Sequence, residues 1–143
     1  MISHVWVVFT LTPKPDGTLT DRETYGPEQL RGNPDGFAFD SVGNLWVTLI
    51  SANRLVVITP EREAFTVWED GDLAVKRAFI EKEKTRRKDL YNFAEGCLAP
   101  RMASITFGGP DLKTVYIGSL FGTNIPYFQS PVAGLPMVHW NGN

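Results

Sequence analysis

The chain is poor in the residues from which metal clusters and nucleophilic centres are commonly built. It holds one cysteine, Cys97, and two histidines, His4 and His139, in 143 residues. No intrachain disulfide and no cysteine-rich zinc cluster can form, which suits a reducing compartment without requiring one. Positive charge is not in surplus: 14 Lys and Arg against 16 Asp and Glu leave a formal net charge of -2. The one dense basic run, Lys82 to Lys88, is interleaved with Glu81 and Glu83, so neither nucleic acid nor an anionic membrane is an expected partner. Long apolar runs are missing too. Val5 to Phe9 is apolar, but it lacks a cationic leader and a small-residue cleavage site, and Pro13 and Pro15 follow closely. It reads as a strand. No stretch approaches the roughly 18 apolar residues needed to span a bilayer, and with no signal peptide the expected compartment is the cytoplasm.

What is present is core material, since hydrophobic residues make up 43% and aromatics 12% of a chain the length of one domain. The organising stretch runs from Asn33 to Pro60. Phe37 and Phe39, then Leu45, Val47 and Leu49, then Leu55 and Val57 recur at period two, while Gly43-Asn44 and Ser51-Ala52-Asn53 supply turn chemistry. This pattern predicts an antiparallel meander of three strands. Pro34-Asp35-Gly36 precedes the first: the proline biases Asn33 towards extended geometry and Gly36 can take backbone angles other residues avoid. A carboxylate, Asp35, is thereby held in a stiff turn at a strand mouth.

Upstream, His4 to Leu11 is continuously apolar enough for a strand covered on both faces. Pro13 to Gly17 makes a turn, Leu19 to Tyr25 returns as a polar outer strand, and Gly26 to Gly32 connects to the meander. Downstream, Ala64 to Trp68 adds a short strand. From Asp72 to Ala94 proline and glycine vanish, helix formers dominate, and Glu81/Lys84, Glu83/Arg86 and Glu83/Arg87 stand at helical charge-pair spacing. A helical insertion at about 72–95 is expected, its charged middle a solvated face. Met102 to Phe107 and Lys113 to Leu120 then form two strands about Gly108-Gly109-Pro110-Asp111. A loop follows from Phe121 to Pro136, and Leu135 to Trp140 is read as a last strand.

An internal repeat emerges when Gly36-Phe37-Ala38-Phe39 is set against Ser104-Ile105-Thr106-Phe107, and Leu45-Trp46-Val47 against Val115-Tyr116-Ile117. With the insertion removed, the two units stand about 40–50 residues apart, the length of a propeller blade. The fold class is therefore all-β, a partial propeller of about three antiparallel four-stranded blades, where closed rings have about four to eight.

Pro34-Asp35-Gly36-Phe37-Ala38-Phe39-Asp40, Gly43-Asn44-Leu45-Trp46-Val47 and Asn53-Arg54-Leu55 together resemble the senescence marker protein/gluconolactonase/luciferin-regenerating enzyme (regucalcin-like) family. Ala103 to Gly109 and Val115 to Gly118 look like that family's final blade. The resemblance implies a six-bladed propeller, of which residues 1–143 are the carboxy-terminal part and 72–95 an insertion between blades. It implies hydrolysis of lactones or related esters with one divalent cation at the channel mouth. Of the family's ligands, an amino-terminal acidic residue, a middle-blade asparagine and the aspartate of the Pro-Asp-Gly block, only the last is matched, by Asp35. Asp35 is thus both the candidate metal ligand and the candidate water-activating residue, and the ligand set in this chain is incomplete.

The chemistry has a physical basis. A hard cation, calcium first, with magnesium or zinc as alternatives, takes oxygen ligands and polarises a carbonyl as a Lewis acid. The expected partner is a small-molecule lactone or sugar-acid lactone, and self-association through uncovered blade faces is a further expectation. Asn124, Tyr127 and Phe128 are candidate pocket-lining residues. Asp40 and Asp111 read as turn residues, Ser104 sits in no nucleophile elbow, and Trp6, Trp46, Trp68 and Trp140 read as sheet-packing residues. The competing readings are a non-catalytic propeller binding module and an inactive fragment.

Overall fold

The computed structural model describes residues 6–71 and 97–141; the helical insertion expected over 72–95 lies outside them. Strands β1 (Trp6–Pro13) and β2 (Leu19–Leu30) pair antiparallel as one sheet. β3 (Pro34–Phe39), β4 (Leu45–Leu49), β5 (Arg54–Ile58) and β6 (Ala64–Glu69) form a four-stranded meander in chain order. β7 (Met102–Gly108), β8 (Thr114–Ser119) and β9 (Tyr127–Gln129) form a third sheet, also in chain order. None of the described helices is long and apolar enough to cross a membrane.

The two central strands of the middle sheet, β4 and β5, are buried on both faces, and their sequence shows why. Successive side chains of a strand point to opposite faces, and Leu45-Trp46-Val47-Thr48-Leu49 is apolar at all positions but one. Leu45, Val47 and Leu49 join Val56 and Ile58 in a cluster against which Val8 and Tyr25 of the first sheet pack. Trp46, Leu55 and Val57 turn the other way, into a cluster with Met102, Ile105, Phe107, Val115 and Ile117 of the third sheet. There the Trp46 and Phe107 rings meet edge to face, centroids 5.4 Å apart and planes at 86°, a favourable quadrupole geometry. Sheets stacked face to face in this way are the blades of a β-propeller. The chain is an all-β partial propeller whose blades carry two, four and three strands among the described residues.

Four local expectations are corrected. β1 is not covered on both faces: with a single partner strand it leaves Phe9 and Leu11 exposed, and the Arg22 guanidinium lies over the Phe9 ring at 3.6 Å. The expected connector Gly26 to Gly32 is largely strand, because β2 continues to Leu30, whose side chain is buried in the core. The loop from Phe121 contains β9, which pairs with β8. Finally, Leu135 to Trp140 is not a strand. Gly134 makes an isolated bridge to Asp40, Leu135 N–H donates to Phe39 O at 2.9 Å, and Val138–Asn141 turns as a 3₁₀ helix with Trp140 half exposed. Pro136 removes a backbone donor just where a ladder would continue.

Two buried carboxylates anchor the turns. Asp40, 1% exposed, accepts from Val42 N–H at 3.1 Å, Asn44 N–H at 2.9 Å, Asn44 Nδ2 at 2.7 Å and the Trp46 indole N–H at 3.0 Å. It ties the β3–β4 turn to the core tryptophan, in the turn role expected for it. Asp70 accepts from Ala99 N–H at 2.7 Å, and Asn53 O accepts from Asp70 N–H at 3.0 Å. Asn53 Oδ1 in turn accepts from Met102 N–H at 2.9 Å. One buried asparagine, at a left-handed φ of 48° that asparagine tolerates, thus links the β4–β5 turn to the end of β6 and to the start of the third sheet.

β3 and β7 meet backbone to backbone at Gly36. A Cβ placed there would lie 2.5 Å from Ala103 O and 2.6 Å from the Ser104 Cα. Gly36→Ala is therefore expected to cost about 2 kcal/mol or more through overpacking, read as a lowered urea midpoint. Asp40→Ala strands a buried indole N–H and its turn donors, with an expected loss of about 2–3 kcal/mol in the same assay. A pH effect is expected at the β1–β2 turn. Asp16 accepts from Thr18 Oγ1 at 2.7 Å and Thr18 N–H at 2.9 Å, and these bonds hold its carboxyl below the usual aspartate value. Thr18→Val should raise it in a carboxyl NMR titration. The folded-state value being the depressed one, the bonds favour the fold above the ordinary aspartate range and are lost as pH falls through the folded value.

Candidate functional site

Asp35 sits on a β-bulge. Pro34 pairs with Leu49 and Phe37 with Val47, so Asp35 and Gly36 together stand opposite Thr48 alone. Both sides of this extra residue are pinned. On one side Asn33 N–H donates to Ser51 Oγ at 3.0 Å, Ser51 Oγ donates to Asn33 Oδ1 at 2.5 Å, and Ile50 N–H donates to Asn33 O at 2.9 Å. On the other, Gly36 N–H donates to Thr48 Oγ1 at 2.9 Å, and that hydroxyl donates to Gly36 O at 3.1 Å. Pro34 and Gly36 thus lie not in a turn before the strand, as expected, but on a bulge within β3, held by tertiary hydrogen bonds at Asn33 and Gly36.

The Asp35 side chain itself is exposed. No hydrogen bond or ion pair to its carboxylate is present among the described residues, in contrast to the fully engaged carboxylates of Asp40 and Asp70. An exposed, unengaged carboxylate on a rigid backbone can accept a proton from water, orient a water molecule, or give oxygen to a hard cation. Among the described residues no three His, Cys, Asp or Glu side chains come together as a metal site. A hard cation takes about 6–8 oxygens, so Asp35 fits one donor of such a set and the described residues do not fit the set.

The other candidates do not gather around Asp35. Phe128 packs against Trp46 at 6.3 Å between centroids, in the core between the second and third sheets. Tyr127 is exposed and lies 6.0 Å from the Tyr116 ring. Both lie on β9, separated from β7 by β8, whereas it is β7 that meets the β3 backbone beside Asp35. Asn124 is exposed in the loop before them. Ser104 is exposed on β7 and His139 stacks edge-on with Trp140 at 6.1 Å. An apolar recess of about 250 Å³ lies instead between the first sheet and β3, walled by Val8, Phe9, Tyr25, Phe37, Phe39 and Leu45. A second, of about 180 Å³, has Arg31, Arg54 and Phe65 in its wall. Neither includes Asp35, Asn124, Tyr127 or Phe128.

Sequence reasoning missed Thr48, read Ser51 only as a turn residue and Asn33 only as extended backbone before Pro34. A signal existed for the first: Thr48 is the single hydroxyl in the apolar run Leu45 to Ile50, and a polar group at such a position needs a specific partner. Nothing local pairs Asn33 with Ser51, because only the meander brings them together.

Comparison with known proteins agrees with this fold. Among solved structures, a luciferin-regenerating enzyme is similar at 17% sequence identity with a TM-score of 0.59, over 92% of this chain and 41% of that one. At that identity the likeness shows the fold alone, and this chain spans less than half of that protein's length. No curated protein matches the chain. The model of the SMP-30/gluconolactonase/LRE-like region matches residues 3–86, which take in β1 to β6 and the Asp35 bulge. With more than half of its length matched, the chain belongs to the SMP-30/gluconolactonase/LRE-like family.

Proposed function

We propose that this chain carries the water-activating carboxylate, Asp35, of a propeller that hydrolyses lactones or related esters with the help of a divalent cation. The observation that supports the reading is the contrast among the aspartates. Asp40 and Asp70 are consumed by backbone and side-chain donors, while Asp35 is presented unengaged on a bulge pinned at Asn33 and Gly36. A carboxylate in that state can take a proton from the attacking water and return it to the departing oxygen, which a carboxylate locked in turn hydrogen bonds cannot do. Its backbone is fixed before substrate arrives, so little ordering is left for the encounter.

A cation in such a site would polarise the ester carbonyl and acidify a bound water. Calcium is the first candidate, because a carboxylate oxygen is a hard donor and the described residues place no histidine or cysteine beside Asp35. The remaining donors would come from outside the described residues. A sugar-acid lactone is the substrate class that the family points to.

Isothermal titration of the full chain with calcium, magnesium and zinc, repeated on Asp35→Ala, tests the reading. Saturable binding led by calcium and weakened at least about tenfold in the variant, with lactone hydrolysis falling in parallel, is the expected outcome. Equal titrations for the two proteins, or none from a folded wild-type chain, would sink it.

A further inference from the structure

β2 leaves its ladder near its end. Tyr25 pairs with Val8 and Leu30 with Trp6, so the residues from Gly26 to Gln29 stand opposite Val7 alone. Leu30 is buried in the seam with the middle sheet, while Gln29 and Arg31 on either side of it wall the recess of about 180 Å³ between β2 and the β5–β6 half of that sheet. Leu49 and Val56, both buried, form the inner part of the recess, and Phe65, half exposed, forms an apolar side.

The backbone of Arg31 is held from both directions. Leu30 is anchored in the core, and at Gly32 an added Cβ would lie 2.9 Å from the Cβ atoms of both Leu49 and Ala52, so the chain there is pressed against the middle sheet. A group carried on such a backbone has little left to order when it meets a ligand.

The recess has two guanidinium groups in its wall, and they are in opposite states. Arg54 is spent on Glu69: its Nε donates to Oε2 and its Nη2 to Oε1, each at 3.2 Å, the two-pronged grip that matches a carboxylate. Arg31 makes no hydrogen bond or ion pair among the described residues. With Glu69 cancelling Arg54, one positive charge is left beside an apolar surface. One guanidinium fork matches one carboxylate, whereas the second charge of a phosphate monoester would go unmatched. The volume is below the roughly 300 Å³ that houses a drug-sized molecule, so the ligand is small.

We propose that this recess binds a small carboxylate with an apolar body, its charge on Arg31 and its hydrocarbon part against Val56 and Phe65. The site excludes Asp35 and uses no metal, so it stands or falls apart from the lactone reading.

Titration of the full chain with benzoate, followed by NMR, is the test. Saturable shifts of the Arg31 Nε–H and of the Leu30 and Val56 methyl groups are expected. Arg31→Gln with benzoate, and wild type with the neutral analogue benzyl alcohol, should each bind about fivefold or more weaker, the upper range for an exposed ion pair. Phe65→Ala, a change at a half-exposed side chain, should weaken benzoate binding as well. Arg22→Gln removes the same charge elsewhere on β2 and should leave it unchanged. No saturable shifts at these residues, or equal affinity in wild type and Arg31→Gln, overturns the site. Equal affinity for benzyl alcohol overturns the carboxylate as the recognised group, and tighter binding of phenyl phosphate overturns the match to a single charge.

Discussion

Burial of β4 and β5 on both faces is the constraint on which the rest of the structure depends. A strand in that position cannot spend alternate residues on solvent, so Leu45 to Leu49 and Leu55 to Ile58 are almost wholly apolar, and each parity of side chain recruits a different neighbouring sheet. Leu45, Val47 and Leu49 draw in β1 and β2; Trp46, Leu55 and Val57 draw in the third sheet. The apolar area removed from water scales with stabilisation at roughly 25 cal/mol per Å², and it is concentrated at these two seams. The outer strands, where Phe9, Phe37 and Phe65 stay exposed, contribute far less.

Packing on both faces leaves polar groups in the seams, and each has an assigned partner. Asp40 and Asp70 are engaged by N–H donors, so they close turns and link sheets. Asn53 joins the β4–β5 turn both to Asp70 and to the start of β7. Thr48 satisfies the bulge. Asp35 shares its residue type with Asp40 five positions away, yet the two have opposite fates, because Asp40 lies under a turn whose donors converge on it and Asp35 lies on an extra residue pushed out of the ladder. Environment, not residue identity, separates a structural carboxylate from an available one.

The family and the fold stand on different supports. Membership rests on the match over residues 3–86, while the third sheet is tied to the propeller by its packing on Trp46 and by the structural likeness. Propellers host unrelated functions, so the proposal of hydrolysis rests on Asp35 and its surroundings rather than on architecture.

Much of this was legible in the residues alone. Period-two apolar positions, turn residues at Gly43-Asn44 and Ser51 to Asn53, and the repeated Phe-turn-aromatic unit determined the meander, the strands after Pro100 and the propeller class, because strand periodicity and turn chemistry are local. The rigidity of the Asp35 turn was legible in part, from Pro34 and Gly36. Only the tertiary structure decided that β1 lies open on one face, that β2 runs through Gly26, and that Leu135 to Trp140 ends in a bridge and a 3₁₀ turn rather than a strand. It alone decided that Phe128 belongs to the core, and that Ser51 bonds Asn33 and Thr48 bonds Gly36 on either side of Asp35. Each of these depends on which segments meet across the sheets, and a chain's local pattern carries its own preferences but not the identity of the neighbour that will satisfy them.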